Sequence, residues 1–106
     1  RPFIHADDAA RAFAHAARDP EAWPQLVYNV GDNDENYRIS EIATIVKDEL
    51  NSGLEITYLE DEHPGPSYHV NFDRVAETGF ETEYTLRDGV EELADAFETR
   101  SIPHYD

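Results

Sequence analysis

Acidic side chains are spread along the whole of this chain, and they restrict what it can fold into more than any other feature. The 106 residues include 24 Asp and Glu against 8 Lys and Arg, which gives a net charge of −16. This charge, with a mean hydropathy of −0.69, is typical of disordered chains. However, 40% of the residues are hydrophobic and 11% are aromatic, in regular patterns, which favours one small folded domain over disorder.

The charge also indicates in which solvent the protein folds and which partners it can bind. Lys47 is the only lysine, and dispersed acid with scarce lysine predicts a halophilic host and folding that depends on salt. Phosphate backbones and anionic membranes would be repelled, so we expect no nucleic-acid and no membrane partner. No apolar run approaches the roughly 20 residues of a membrane span, and we expect a cytoplasmic protein.

Two residue types are missing from the chain. The absence of Cys excludes disulfides, thiolate metal sites and a cysteine nucleophile. The absence of Met leads us to expect a segment of a longer protein or a processed product.

Apolar spacing predicts a first helix from Ala9 to Arg18. Either Asp7 or Asp8 can cap its N-terminus, and Ala9 and Phe13 lie on one face at helical spacing.

Two further helices follow from the same reasoning. The second runs to Leu50 with Ser40 as its N-cap. The third runs to Glu98, and Thr85 with Asp88 three positions later resembles a capping box at its start.

Between these helices lie short apolar segments that predict strands. Alternation of strands and helices predicts an α/β fold, with about three helices and short strands. The predicted strands are Phe3–His5, Gln25–Val30, Glu55–Leu59 and Tyr68–Phe72.

The sequence offers few catalytic or metal-binding candidates. The five His residues lack metal-ligand spacing, and no Ser has a His and Asp partner placed by the sequence. The polar stretch 32–36 has carboxylates but not the spacing of an EF-hand, so we interpret it as a solvated turn rather than a calcium loop. Neither a Gly-rich dinucleotide motif nor a Tyr-x-x-x-Lys pair occurs. We therefore expect no catalytic residue and no metal site in this chain.

Arg1 has the most distinctive setting of the basic residues, because it stands beside an apolar segment in an acidic chain. Its guanidinium can hold a phosphate through paired hydrogen bonds. The alternative is a flexible terminal residue. We expect the other Arg side chains to pair with surface carboxylates.

The order of four motifs resembles the extended short-chain dehydrogenase/reductases, the NAD-dependent nucleotide-sugar epimerases and dehydratases. The resemblance covers residues 1–97. Its motifs are the R-P-F-I-H-A-D-D-A-A-R-A run at residues 1–12, Y-N-V-G at 28–31, Y-H-V-N-F-D-R-V at 68–75 and Y-T-L-R-D-G-V at 84–90.

The resemblance implies a C-terminal substrate-binding lobe of an extended Rossmann-type enzyme, formed by residues 1–99 and followed by a loose tail at 100–106. It implies a nucleotide-sugar substrate, NAD bound by an N-terminal Rossmann domain outside this chain, and a possible homodimer of the full-length protein. The Arg1 position contacts the substrate diphosphate in the family, and Asp8 matches an acid for which we favour capping over catalysis.

One departure from the family concerns the loop before Tyr68. The family has a phosphate-contacting Arg there, whereas residues 60–67 contain neither Arg nor Lys. His69 is the candidate substitute as a diphosphate donor, with a surface histidine as the alternative. A different class of function also remains open, namely a stand-alone acidic binding module without enzymatic activity.

Overall fold

A computed structural model describes residues 1–50, 53–60 and 68–99 of the chain. Four α-helices organise these residues, together with two short 3-10 turns at Pro20–Ala22 and Asn33–Glu35. The helices are α1 (Ala6–Arg18), α2 (Ile39–Leu50), α3 (Asp73–Ala76) and α4 (Leu86–Glu98). No helix in the described ranges is both long and apolar enough to cross a membrane.

The predicted α/β fold with short strands is wrong for the part of the chain that the structure describes. Helices make up 53% of it, and no sheet is present. The backbone pairing outside the helices is an isolated antiparallel bridge between Pro2 and Asn36. In this part of the chain the short apolar segments therefore precede or connect helices and do not form strands.

Side-chain amides explain why Tyr68–Phe72 is not a strand. The amide of Asn36 donates to the carbonyl of Val70 at 3.0 Å and accepts from its N–H at 3.1 Å. Asn33 Oδ1 accepts from the N–H of Phe72 at 2.7 Å. These two side chains satisfy backbone groups that a neighbouring strand would otherwise have to satisfy.

Gln25–Val30 forms no backbone-to-backbone hydrogen bonds with another segment among the described residues. The side chain of Leu26 is 98% exposed and that of Val27 is 66% exposed. The N–H of Gln25 donates to the hydroxyl of Tyr28 at 3.1 Å rather than to another strand. Glu55–Leu59 is likewise without regular structure, and Tyr58 and Leu59 are exposed. Apolar composition alone does not make a strand when no backbone lies beside it.

Helix α1 begins three residues earlier than predicted, and neither Asp7 nor Asp8 is its N-cap. His5 caps it, because His5 Nδ1 accepts from the N–H of Asp7 at 3.0 Å. The inward face is also different, since Asp8 and Ala12 are buried while Phe13 is 80% exposed.

Helices α2 and α4 pack against each other. Glu49 on α2 and Arg87 on α4 form an ion pair at 2.6 Å. The predicted capping box of α4 is confirmed, with reciprocal bonds between Thr85 and Asp88. On α2, Ser40 lies inside the helix, and Glu41 instead accepts from the N–H of Arg38 at 2.8 Å.

The buried apolar core of the described residues is small. It consists of Ala12 from α1, Val75 from α3, and Phe72 and Phe80 on either side of α3. Partly buried aromatic and aliphatic side chains pack around it: Trp23, Tyr28, Val30 and Val70. Helices α2 and α4 contain no fully buried residue, so much of their apolar surface remains accessible.

Candidate functional site

The backbone of Arg1 is anchored to the loop before α2. The N–H of Tyr37 donates to the carbonyl of Arg1 at 2.8 Å, and the N–H of Phe3 donates to the carbonyl of Glu35 at 3.1 Å. Together with the Pro2–Asn36 bridge, these bonds align residues 1–3 with residues 35–37. Arg1 is therefore held against the body of the protein rather than being a flexible end.

The Arg1 guanidinium lies over an aromatic ring. Its Cζ is 5.5 Å from the centroid of the Tyr68 ring, within the range of a cation–π contact. Arg1 Nη1 is 3.5 Å from the Tyr68 hydroxyl. This contact fixes the direction of an exposed side chain and leaves most of its N–H donors available to a ligand.

Arg1 differs from two other arginines in that no described carboxylate forms an ion pair with it. Arg11 is paired with Asp8 and Glu83, and Arg87 is paired with Glu49. Within the described ranges Arg1 forms no ion pair. Because no described carboxylate pairs with it, this guanidinium can donate charge-assisted hydrogen bonds to an anion.

The pairing expected for the remaining arginines is not general. The Nε of Arg18 donates to the carbonyl of Ala14 at 3.3 Å. Arg74 Nη1 lies 3.4 Å from the carbonyl of Val27. Among the described residues, these two cations contact the backbone rather than carboxylates.

His69, the second predicted ligand, is exposed and directly follows Tyr68 in the chain. The next residue, Val70, is held on both its backbone groups by Asn36. The structure thus brings Arg1 against Tyr68, and His69 is the next residue along an anchored segment. No described contact joins the side chains of Arg1 and His69.

The polar stretch 32–36 is only partly the solvated turn that its composition predicts, because Asn33 and Asp34 are exposed whereas Glu35 is buried. Asn33 and Asn36 hold the segment 70–72, as described above, and Glu35 is only 8% exposed. Asp32 accepts from the N–H of Asp34 at 2.8 Å and from the hydroxyl of Thr82 at 3.2 Å. The amides and carboxylates of this turn therefore connect distant parts of the chain. In the sequence, the two Asn residues three positions apart in an otherwise acidic turn are the feature that could have indicated these connections.

Asp8 is a buried carboxylate whose hydrogen-bonding capacity is taken up by the fold. It is fully buried, and it accepts from the N–H groups of Glu83 and Tyr84, both at 2.9 Å. Arg11 Nη1 also donates to it at 2.8 Å. Asp8 therefore holds the segment that precedes α4 and does not cap the N-terminus of its own helix.

Glu35 acts on the same segment from the other side. Its Oε2 accepts from the N–H of Leu86, the first residue of α4, at 2.9 Å, and from the Tyr37 hydroxyl at 2.7 Å. Burial and this hydrogen bond raise the pKa of Tyr37 to about 12. The carboxylates of Asp8 and Glu35 both lie near the start of α4, where the free N–H groups and the helix dipole favour an anion.

His5 joins the two ends of the described chain. Its Nε2 lies 2.7 Å from the Glu92 carboxylate, and its ring stacks on Tyr84 with centroids 4.3 Å apart. The hydrogen bond to Glu92 raises the pKa of His5, against the opposing effect of burial. Protonation also turns Nδ1 from an acceptor into a donor and so breaks its bond with the Asp7 amide. This cluster has no local signal in the sequence, because Tyr84 and Glu92 lie 79 and 87 positions from His5.

The family resemblance implies a dinucleotide bound by a domain outside this chain, and the described glycines are not arranged as a dinucleotide-binding loop. A phosphate-binding loop needs glycines whose backbone a phosphate can approach at a helix N-terminus. Gly31 is instead covered by the Phe72 ring, which would lie 2.7 Å from an added Cβ. Gly79, with φ +85, follows the C-terminus of α3. Within the described ranges there is also no group of three or more side chains suited to a metal ion.

Comparison with known proteins gives no relative on which to base a function. No protein-family model, curated protein or solved structure matches the chain.

Proposed function

We propose that this chain is the substrate-binding part of an NAD-dependent nucleotide-sugar epimerase or dehydratase and is not catalytic alone. The proposal starts from the motif resemblance. The observation that carries it in the structure is the Arg1 guanidinium, which is anchored by its backbone, oriented over Tyr68 and not neutralised by a described carboxylate.

The chemistry of this edge suits a diphosphate. A guanidinium can donate two parallel hydrogen bonds to phosphate oxygens, and such charge-assisted bonds are stronger than those between neutral groups. The Tyr68 hydroxyl lies beside the guanidinium, and the exposed His69 follows it and can supply a further donor. The sugar and the base would then extend away from this edge.

The proposal that the chain is not catalytic alone is supported by the way two of its buried carboxylates are used. The carboxylates of Asp8 and Glu35 accept two or more hydrogen bonds each from the fold. A Tyr-x-x-x-Lys pair, which would let a cation lower the pKa of a tyrosine for proton transfer, does not occur. We therefore assign no proton-transfer step to these residues.

The proposed partner within the enzyme is its own N-terminal Rossmann domain, which would bind NAD and supply the catalytic pair in the cytoplasm. Leu26 and Val27 support this partner, because they are apolar, exposed and without a backbone neighbour among the described residues. A sheet of that domain could cover them. Homodimerisation belongs to the full-length protein in this proposal.

Binding of nucleotide sugars to this chain tests the proposal. Isothermal titration calorimetry with UDP-, GDP- and dTDP-glucose would compare the wild type with Arg1→Ala, His69→Ala and Arg18→Ala. Arg18 is the matched control, because it is an exposed cation that donates to the Ala14 carbonyl. Loss of charge-assisted bonds should weaken binding about tenfold or more in Arg1→Ala and leave Arg18→Ala unchanged. Equal affinities for all four proteins would reject the diphosphate role.

The second candidate function is a stand-alone acidic binding module. The observation that favours it is the accessible apolar surface of α4, since this surface lies apart from Arg1. The coding sequence upstream of Arg1 separates the two candidates. A Gly-rich motif and a Tyr-x-x-x-Lys pair there support the enzyme, and their absence supports the module.

A further inference from the structure

An apolar groove lies between the segment that precedes α1 and one face of α4. Its volume is about 380 Å³, and neither Arg1 nor Tyr68 lines it. Its walls include Phe3 and Ile4 on one side and Leu86, Val90 and Leu93 on the other. The groove and the proposed diphosphate site thus share no lining residue.

The apolar walls of the groove are accessible to a partner. Leu93 is 55% exposed, and Phe3 and Ile4 are also exposed. Gly89 lines the same wall of α4, and a Cβ built there would meet no atom closer than 3.9 Å. The missing side chain therefore leaves room in the groove, although glycine within a helix costs up to about 1 kcal/mol relative to alanine.

The apolar residues of α4 form a stripe rather than scattered contacts. Leu86, Val90 and Leu93 stand at positions i, i+4 and i+7, which places them on one helix face. Seven residues of helix extend about 10 Å along the axis. A groove of this kind is suited to an amphipathic helix that presents its own apolar stripe.

Charge around the groove is mainly negative, although Arg11 pairs with Glu83 of the adjoining hollow at 3.1 Å. Glu92 lines the groove and also an adjoining hollow of about 350 Å³. The other acidic residues of that hollow are Glu83, Asp88, Glu91 and Asp95. Neither depression is lined by Lys or Arg, and the ring of His5 is engaged by Glu92.

We propose that this groove binds an amphipathic segment of another protein, with apolar side chains flanked by Lys or Arg. Charge complementarity selects this occupant, because a cationic flank would lie against the acidic residues that border the apolar walls. A second copy of this chain is disfavoured, since each copy carries −16. The proposal does not depend on nucleotide-sugar binding.

Fluorescence anisotropy with a labelled amphipathic peptide tests the proposal. The probe is a Leu/Lys helix of about 14 residues, long enough to form a helix when bound. A Leu/Glu peptide of the same length and pattern is the matched probe. Titrations use the lowest KCl concentration at which circular dichroism shows the native helix content. The Leu/Lys peptide should bind, and the Leu/Glu peptide should bind at least about tenfold more weakly.

Paired variants locate the binding site. Leu93→Asp should weaken Leu/Lys binding about tenfold, whereas Leu26→Asp, at a 98% exposed position outside the groove, should change it less than about twofold. Glu91→Lys with Asp95→Lys should likewise weaken it about tenfold, and Glu21→Lys with Glu77→Lys, which removes the same charge elsewhere, should not.

Three results would overturn the proposal. Equal losses in the groove and control variants would show attraction to the net charge alone. Equal binding of the two peptides would show that charge does not select the occupant of the groove. Sedimentation showing a dimer of the wild type that Leu93→Asp dissociates would assign the groove to a second copy.

Discussion

Oδ2 of Asp8 accepts a hydrogen bond of 2.9 Å from the backbone N–H of Tyr84, 76 positions further along the chain. Asp8 is fully buried in α1, whereas Tyr84 lies in the segment that leads into α4. The bond therefore ties the first helix to the start of the last one. Glu35 supports the same start through the N–H of Leu86.

Replacing Asp8 should test how much this tie contributes to stability. In Asp8→Asn one carboxylate oxygen becomes an amide donor that faces the backbone N–H of either Glu83 or Tyr84. Leaving a buried donor unsatisfied should lower the free energy of unfolding by roughly 2–4 kcal/mol. Asp7→Asn is the matched control, because Asp7 is exposed and adjacent. Urea denaturation measures both, and equal losses in the two variants would contradict the role assigned to Asp8.

Two glycines should respond oppositely to the same substitution. Gly31→Ala would place a Cβ 2.7 Å from the buried Phe72 ring, so we expect a loss of about 1–3 kcal/mol. Gly89→Ala lies within α4, where the nearest atom is 3.9 Å away, and should stabilise by up to about 1 kcal/mol. Thermal denaturation distinguishes the two. A Gly31→Ala protein as stable as the wild type would show that Phe72 does not pack on Gly31.

The His5–Glu92 pair should make stability depend on pH. Glu92 raises the pKa of His5 above the value of 6.5 expected for the unfolded chain. The folded protein therefore binds this proton more tightly. The contribution of the pair is fully present below pH 6.5 and is lost as pH rises through the folded-state pKa. Loss of the Nδ1 bond to the Asp7 amide on protonation opposes part of this contribution.

Titration of the His5 ring by NMR checks this dependence. Glu92→Gln should lower the pKa of His5, whereas Glu91→Gln, which removes the same charge one position away, should lower it less. Added salt should reduce the difference, since Glu92 is 63% exposed. Equal shifts in the two variants would mean that the general acidity of α4, rather than the hydrogen bond, controls His5.

Folding itself should depend on salt. At about 1 M KCl the screening length falls to near 3 Å, which removes most of the self-repulsion of a chain with net charge −16. Circular dichroism should therefore show more helix at molar KCl than at low salt. An identical spectrum at both concentrations would contradict the interpretation of the acidic composition as a halophilic adaptation.

The sequence predicts those features that depend on neighbouring residues. Apolar periodicity places the predicted first helix within the observed α1, and Thr85 and Asp88 form the capping box that their spacing predicts. Each of these depends on contacts within about one helical turn.

Features that depend on distant residues could not be predicted in this way. The hydrogen-bond partners of Asp8 lie 75 and 76 positions away. The spacing of Ala9 and Phe13 along the helix therefore cannot predict that the Asp8 side chain is buried. Once Asp8 faces inward, helical geometry turns Phe13 outward. The segment 68–72 has strand-like alternation, but Asn33 and Asn36 occupy its backbone groups.

The proposed Arg1 site depends partly on what the sequence indicates locally and partly on a distant residue. Its residue type was a clue to anion binding from the sequence, and its backbone pairing with Tyr37 excludes a flexible terminus. The contact with Tyr68, 67 positions away, had no local signal.

Phosphorus NMR of UDP-glucose in the presence of this chain tests the proposed diphosphate site most directly. Wild-type protein should shift both diphosphate resonances, Arg18→Ala should preserve the shifts, and Arg1→Ala should abolish them. Circular dichroism would establish that all three proteins are folded. The same shifts in Arg1→Ala, or no shift with folded wild-type protein, would contradict the assignment of Arg1 as the diphosphate ligand.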